Sequence, residues 1–315
     1  MRRAIRIGMS IVLAGIAWLG SQTAAHAYQI RIATPDGPRF VIVHPARRGP
    51  APTVIVLHGI AISAAWTSKI SGFSEAALDR GFTAVYPEGI NLAWNDGREG
   101  VTSAADDVGY MRKLIGELGR RGIADPKRVY IAGISNGGMM AMRMLCEASD
   151  LLAGVGTTIA NMPVRTGEAC RIVHPVPIVM INGSADIVVP YNGGWVGPLG
   201  VGGHVWGTEQ TAKFLAHANG CTTVVRTHFP SHKPLDHMSV TRTAWGGCFT
   251  PAKTVTLYRV NGGGHQIYGR RGMIASLLGA LGPDISAAET IMAAFAKGGL
   301  PPRDEAGARN EQGHF

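Results

Sequence analysis

From Tyr28 onward, short β-branched apolar runs alternate with longer stretches of helical periodicity. Tyr28–Ala33 and Arg39–His44 flank Pro35-Asp36-Gly37, which predicts two strands joined by a tight turn. Thr53–Leu57 is apolar without interruption, the pattern of a strand whose two faces are both covered, and Thr83–Tyr86 repeats it before Pro87. Ser103–Arg121 reads as a helix: Ser103 stands at a capping position with Asp106 three residues on, and Val108, Met111, Ile115 and Leu118 share one face. Arg128–Ile134 is the next strand. It leads directly into Gly133-Ile134-Ser135-Asn136-Gly137 and a helix over Asn136–Cys146, with Met139, Met142 and Cys146 on one stripe. Val155–Ile159, Ile178–Ile181 and Val255–Val260 are further strands; Glu209–Asn219 and Ala287–Ala296 are helices; Tyr191–Gly207 is a long Gly-rich loop. Strands alternating with helices predict an α/β fold with a mostly parallel central sheet and helices on both faces.

The two ends read differently from the middle. Arg2, Arg3 and Arg6 precede an apolar run, Ile11–Leu19, and then Ala25-His26-Ala27, the sequence form of a cleavable signal peptide over 1–27. The run is too short to span a bilayer comfortably, and no cysteine lies nearby to carry a lipid, so stable membrane insertion is not expected. The expected organisation is a signal peptide at 1–27, one α/β domain over 28–300 and a flexible polar tail over 301–315. The destination is the periplasm or the medium. With 315 residues, 46% of them hydrophobic and 16% charged, the chain can bury a sizeable core.

Export changes the meaning of the four cysteines, since an even number in an oxidising compartment points to disulfides. Neighbours in sequence would pair Cys146 with Cys170 and Cys221 with Cys248, one of three possible connectivities. No Cys-x-x-Cys spacing is present, which argues against a zinc site. The formal charge is +9, but the basic residues are scattered rather than clustered in a stripe, so a nucleic-acid partner is not expected.

The chemistry centres on Ser135. A strand, Gly-x-Ser-x-Gly and a helix together make a nucleophile elbow, a sharp turn that lifts the serine hydroxyl to the edge of a sheet. Asp186 follows the strand PVPIVMI, and His265 follows VTLYRV on the loop Asn261-Gly262-Gly263-Gly264, giving the order Ser, Asp, His. In this reading His265 is the general base and Asp186 fixes its tautomer. Asp106 and Asp107 are rival acids better explained as a helix start, while His228, His232 and His237 are rival histidines in a polar stretch. The backbone N–H groups of Asn136 and of Ile60, after Leu57-His58-Gly59, are the expected oxyanion donors. His58, Trp94, Trp195, Trp206 and Tyr268 are candidates for the substrate pocket, with Trp66 also near the predicted loops. Acyl transfer by Ser, His and Asp calls for no cofactor and no metal.

These residues resemble the secreted polyhydroxybutyrate depolymerase and feruloyl esterase-like group of α/β-hydrolases. The resemblance runs through Leu57-His58-Gly59, Trp94-Asn95-Asp96-Gly97-Arg98, Asp106-Asp107-Val108-Gly109-Tyr110, Arg128-Val129-Tyr130 and Gly133 through Met139. It continues through Cys146-Glu147, Gly183-Ser184-Ala185-Asp186, Val189-Pro190-Tyr191, Asn219-Gly220-Cys221 and Gly262 through His265. It implies an α/β-hydrolase fold, hydrolysis of carboxylic esters, and Ser135, Asp186 and His265 at the family's catalytic positions. The expected substrate is a small or oligomeric ester: hydroxyalkanoate oligomers, or feruloyl and acetyl groups on polysaccharide. The chain departs from the family after the histidine, where Gln266-Ile267-Tyr268-Gly269 replaces the frequent Thr-Trp-Pro-Gly, so substrate preference is not carried over. A serine peptidase on the same fold and a non-catalytic carbohydrate-binding protein are the alternative readings.

Overall fold

In a computed structural model, the described residues are 26–99, 103–197, 202–231, 238–269, 285–298 and 309–314. The continuous apolar runs become the middle of an eleven-stranded sheet. Its strands are β1 (Tyr28–Thr34), β2 (Gly37–His44), β3 (Ala51–Leu57), β4 (Thr83–Pro87), β5 (Ala124–Ile134), β6 (Gly154–Thr158), β7 (Ile178–Gly183), β10 (Thr223–Phe229), β11 (Ser239–Gly246), β12 (Val255–Asn261) and β13 (Arg309–His314). They lie in the order β1-β2-β4-β3-β5-β6-β7-β12-β11-β10-β13. The block from β4 to β12 is parallel, and antiparallel strands extend it on both sides. This is the α/β-hydrolase fold expected from the alternation of elements.

Burial along β3 shows why that run carries no polar alternation. Ile55 and Leu57 face a layer formed by α3 (Asp107–Arg120), α4 (Asn136–Ala148) and α6 (Thr208–Ala218). Val54 and Val56 face the opposite layer, with α1 (Ala64–Ile70), α2 (Phe73–Leu78) and α7 (Ala287–Ala296). Each of these side chains contributes about 2 kcal/mol by leaving water, so both strand faces must be apolar.

Several boundaries differ from expectation. The helix predicted from Ser103 begins at Asp107, because Asp106 takes the cap: its carboxylate accepts the N–H of Gly109 at 2.8 Å. Within the expected loop Tyr191–Gly207 there is a two-stranded hairpin, β8 (Gly194–Trp195) with β9 (His204–Val205). At the C-terminus, where a flexible tail was expected over 301–315, Arg309–His314 pairs antiparallel with β10, using backbone bonds that the edge strand otherwise leaves open. Residues 1–25 of the expected signal peptide, and 301–308 and 315 of the tail, lie outside the described residues. Among the described residues no helix is long and apolar enough to cross a membrane. Disulfides join Cys146 to Cys170 and Cys221 to Cys248, the pairing of sequence neighbours. The first ties the last turn of α4 to the end of α5 (Val164–Ala169).

Candidate active site

β5 and α4 meet at Ser135 with almost no linker. Ser135 adopts φ 54° and ψ −119°, a conformation that costs a non-glycine residue on the order of 1–3 kcal/mol. Its neighbours hold it there: the Ser135 N–H donates to the Thr158 carbonyl at 3.0 Å, and the Ser135 carbonyl accepts from Met139 at 3.0 Å. The two flanking glycines are required by contact. A Cβ on Gly133 would collide with the Gly137 backbone, and one on Gly137 with the carbonyls of Leu57 and His58.

Three strand ends then converge. Asp186, past β7, places one carboxylate oxygen between two backbone N–H groups, those of Val188 and Val189, both at 2.8 Å. Its other oxygen accepts from Nδ1 of His265, past β12, at 2.8 Å. Nε2 of His265 is left as the acceptor for the Ser135 hydroxyl, at 3.1 Å. The Asp186 side chain is 2% exposed and that of His265 12%, so the relay is dry at the acid and open toward the serine. Neither rival acid reaches His265. Asp106 caps α3, and Asp107 is buried against Arg39 while accepting the Asn95 N–H at 2.7 Å. Of the rival histidines, His228 lies in β10 near Thr241, and His232 and His237 fall outside the described residues.

The Leu57–Ile60 loop packs against the elbow: a Cβ on Gly59 would lie 3.6 Å from that of Ser135. Ile60 is 49% exposed beside it, whereas Asn136, the first residue of α4, is 1% exposed. The N–H of a first helical residue has no acceptor within its own helix. Asn136 thus directly follows the serine, and Ile60 belongs to the loop packed beside it.

His58, Trp94 and Tyr268 are buried and line no open pocket, while Trp206 is half-buried. His58 is fully buried; its Nδ1–H donates to the Gly59 carbonyl at 2.8 Å and its Nε2 accepts the Gly89 N–H at 2.9 Å. Burial lowers its pKa to about 4 and raises that of Glu88, whose carboxylate lies 3.3 Å away. Both shifts oppose an ion pair, so His58 acts as a neutral brace between two loops. Trp94 is also fully buried, donating from its ring N–H to the His58 carbonyl at 3.0 Å. Trp206 packs edge-on against Phe214 and over Gly167. Tyr268 lies beneath the histidine loop, donating its hydroxyl to the Gly264 carbonyl at 2.8 Å. Burial and the neighbouring Asp186 both raise its pKa, keeping the phenol protonated. Trp195 differs: it is 58% exposed on β8, edge-on to His204. Trp66, on α1, is 51% exposed.

Sequence reasoning singled out neither Leu92 nor Ile187, two further exposed apolar residues. Leu92, whose carbonyl accepts the Ala61 N–H at 2.9 Å, is 38% exposed, and Ile187, next to Asp186, is 66% exposed. A separate cleft of about 340 Å³ runs along α4, lined by Arg98, Arg143, Glu147 and Arg165. Each arginine there already faces a carboxylate, Asp96, Glu147 or Glu99, and Arg143 lies about 10 Å along the helix from Asn136. That cleft takes no part in the relay.

No family model matches the chain. It is 31% identical over 223 residues to feruloyl esterase B of Piromyces equi, covering 68% of this chain and 39% of that protein. It is 26% identical over 229 residues to the poly(3-hydroxybutyrate) depolymerase of Ralstonia pickettii, covering 67% of this chain and 42% of that protein. The chain thus spans about two fifths of the length of both relatives. Among solved structures, acetyl xylan esterase from Aspergillus awamori matches with a TM-score of 0.53 at 13% identity, covering 76% of this chain and 94% of the other.

Proposed function

As a member of the polyhydroxybutyrate depolymerase and feruloyl esterase-like group of α/β-hydrolases, this chain, we propose, is a serine carboxylic-ester hydrolase that works through an acyl-enzyme. The observation that carries the reading is the unbroken chain of hydrogen bonds from Asp186 through His265 to Ser135, on a backbone turn that exposes the hydroxyl. His265 Nε2 takes the Ser135 proton as Oγ attacks the ester carbonyl carbon. The N–H groups of Ile60 and Asn136 receive the oxyanion, each worth about a hundredfold or more in rate. His265 then protonates the departing alcohol, and water repeats the sequence in reverse to release the acid. Asp186 holds the tautomer that leaves Nε2 basic and stabilises the imidazolium.

The proposed substrates are hydroxyalkanoate oligomers, or feruloyl and acetyl esters of polysaccharide. The relatives named above favour this class, as does the exposed apolar surface of Ile60 beside the elbow and Ile187 next to Asp186. We place the working protein outside the cytoplasm, in the periplasm or the medium. The two disulfides and the leader-like residues 1–27 support this location.

A fluorophosphonate probe tests the reading directly. The wild-type protein is expected to be labelled and Ser135→Ala not; an unlabelled wild type refutes it. A panel of p-nitrophenyl acetate to octanoate, methyl ferulate and 3-hydroxybutyrate oligomers then ranks the acyl groups.

A further inference from the structure

Behind the elbow, a buried carboxylate reaches Asn136 from a different loop. The Asn136 side chain makes three hydrogen bonds: its oxygen accepts the Trp94 N–H at 2.8 Å, and its NH₂ donates to the Trp94 carbonyl at 3.0 Å and to Asp96 at 2.6 Å. Asp96 in turn faces Arg98, whose Nη2 lies 2.7 Å away and whose Nε donates at 2.9 Å. The Asp96 side chain is fully buried and that of Arg98 is 3% exposed. Arg98 extends the chain outward, donating from Nη1 to the carbonyl of Gly202, in the loop that joins β8 to β9, at 2.6 Å. Thr166 fixes the other end of Asp96 by donating to its backbone carbonyl at 2.9 Å.

A buried ion pair is a poor source of stability, because desolvation of both charges consumes most of their attraction. Its strength lies in direction, since charge-assisted hydrogen bonds are short and tightly oriented. Here that direction acts on the one residue whose backbone N–H lies immediately after the nucleophile. Rotating the Ser135–Asn136 peptide would strain three bonds to the Asn136 side chain, one of them backed by the Asp96 charge.

We infer that Asp96 and Arg98 are positioning residues of the oxyanion hole: Asp96 fixes the Asn136 amide, and Arg98 neutralises Asp96 while tying it to the Trp195 hairpin. This rests on the ester-hydrolase reading above. The experiment compares wild type, Asn136→Ala, Asp96→Ala and the double variant in the full chain, using p-nitrophenyl acetate, with active enzyme counted by fluorophosphonate labelling. Asn136→Ala keeps its backbone N–H and leaves the Asp96–Arg98 pair intact, so it tests the inference even if Asp96→Ala does not fold. Each single variant is expected to lose about 10- to 100-fold in kcat per labelled site, less than outright removal of a donor, with KM changed less than about threefold. The double variant is expected to lose no more than the worse single one, because both act through the same amide. A general structural defect lowers the labelled fraction without changing kcat per labelled site. Wild-type turnover with kcat per labelled site in Asn136→Ala within twofold of wild type overturns the inference and leaves the hydrolase reading standing. An unlabelled wild type refutes both.

Discussion

Replacing Asp186 by Asn tests how the relay sets the state of His265. The carboxylate presents two different faces: one oxygen accepts two backbone N–H groups at 2.8 Å, and the other accepts one imidazole N–H at 2.8 Å. An amide has one acceptor end and one donor end. Turning its oxygen to Val188 and Val189 preserves two hydrogen bonds, whereas turning it to His265 preserves one and sets an NH₂ against two amide donors. The first orientation wins. The NH₂ then faces Nδ1, which must become the acceptor, so the proton moves to Nε2 and the base facing Ser135 is lost. For a triad whose tautomer is inverted the rate falls by about four orders of magnitude, roughly 5.5 kcal/mol in the barrier. Because the two backbone bonds survive, the melting temperature is expected to move by only a few degrees. The assay is kcat/KM for p-nitrophenyl acetate at pH 8 beside a thermal melt of the same preparation. A loss of less than tenfold in a normally folded variant would refute the argument that Asp186 selects the tautomer.

Two further outcomes follow from buried groups. His58 takes up a proton near pH 4 when folded and near 6.5 when unfolded, so the unfolded state binds more protons between those values and stability falls as pH drops through that window. The change amounts to about 3 kcal/mol in urea unfolding, and His58→Gln is expected to flatten that part of the pH profile; an unchanged slope contradicts the assignment. Each disulfide closes a loop, with sequence separations of 24 and 27, worth about 3 kcal/mol, so strong reductant should lower the melting temperature by several degrees. An unaltered melt would mean that the bridges add nothing to stability.

Ser135, Asp186 and His265 were legible because each follows a strongly apolar strand, and strand ends on one sheet edge are neighbours in space whatever their separation in sequence. The burial of Trp94 and Tyr268 was not. Trp94 sits among Asn95, Asp96 and Gly97, which reads as an exposed turn, yet partners from Leu57–Gly59 and Asn136 bury it. Tyr268 follows the His265 loop and looks in sequence like a wall of the pocket, but its hydroxyl satisfies the Gly264 carbonyl from beneath. Burial of this kind depends on contacts 36 and 42 residues away, which local periodicity does not encode. The short helices α1 and α2 were missed for a simpler reason: six or seven residues give fewer than two turns, too few for a 3.6-residue period to emerge. The Asp96–Arg98 pair was present among the residues that carried the resemblance. Only its burial distinguishes it from a surface ion pair.

The relay also sets an order of events when the chain folds. Its two hydrogen bonds span 130 and 79 residues, and between β5 and β12 the sheet must first insert β6 and β7. Contacts of such sequence separation form late, after local helices and hairpins. Under the proposed mechanism, reactivity at Ser135 is expected to return only once β12 has docked on β7, so that recovery of fluorophosphonate labelling would time completion of the parallel sheet, after the earlier return of helical signal.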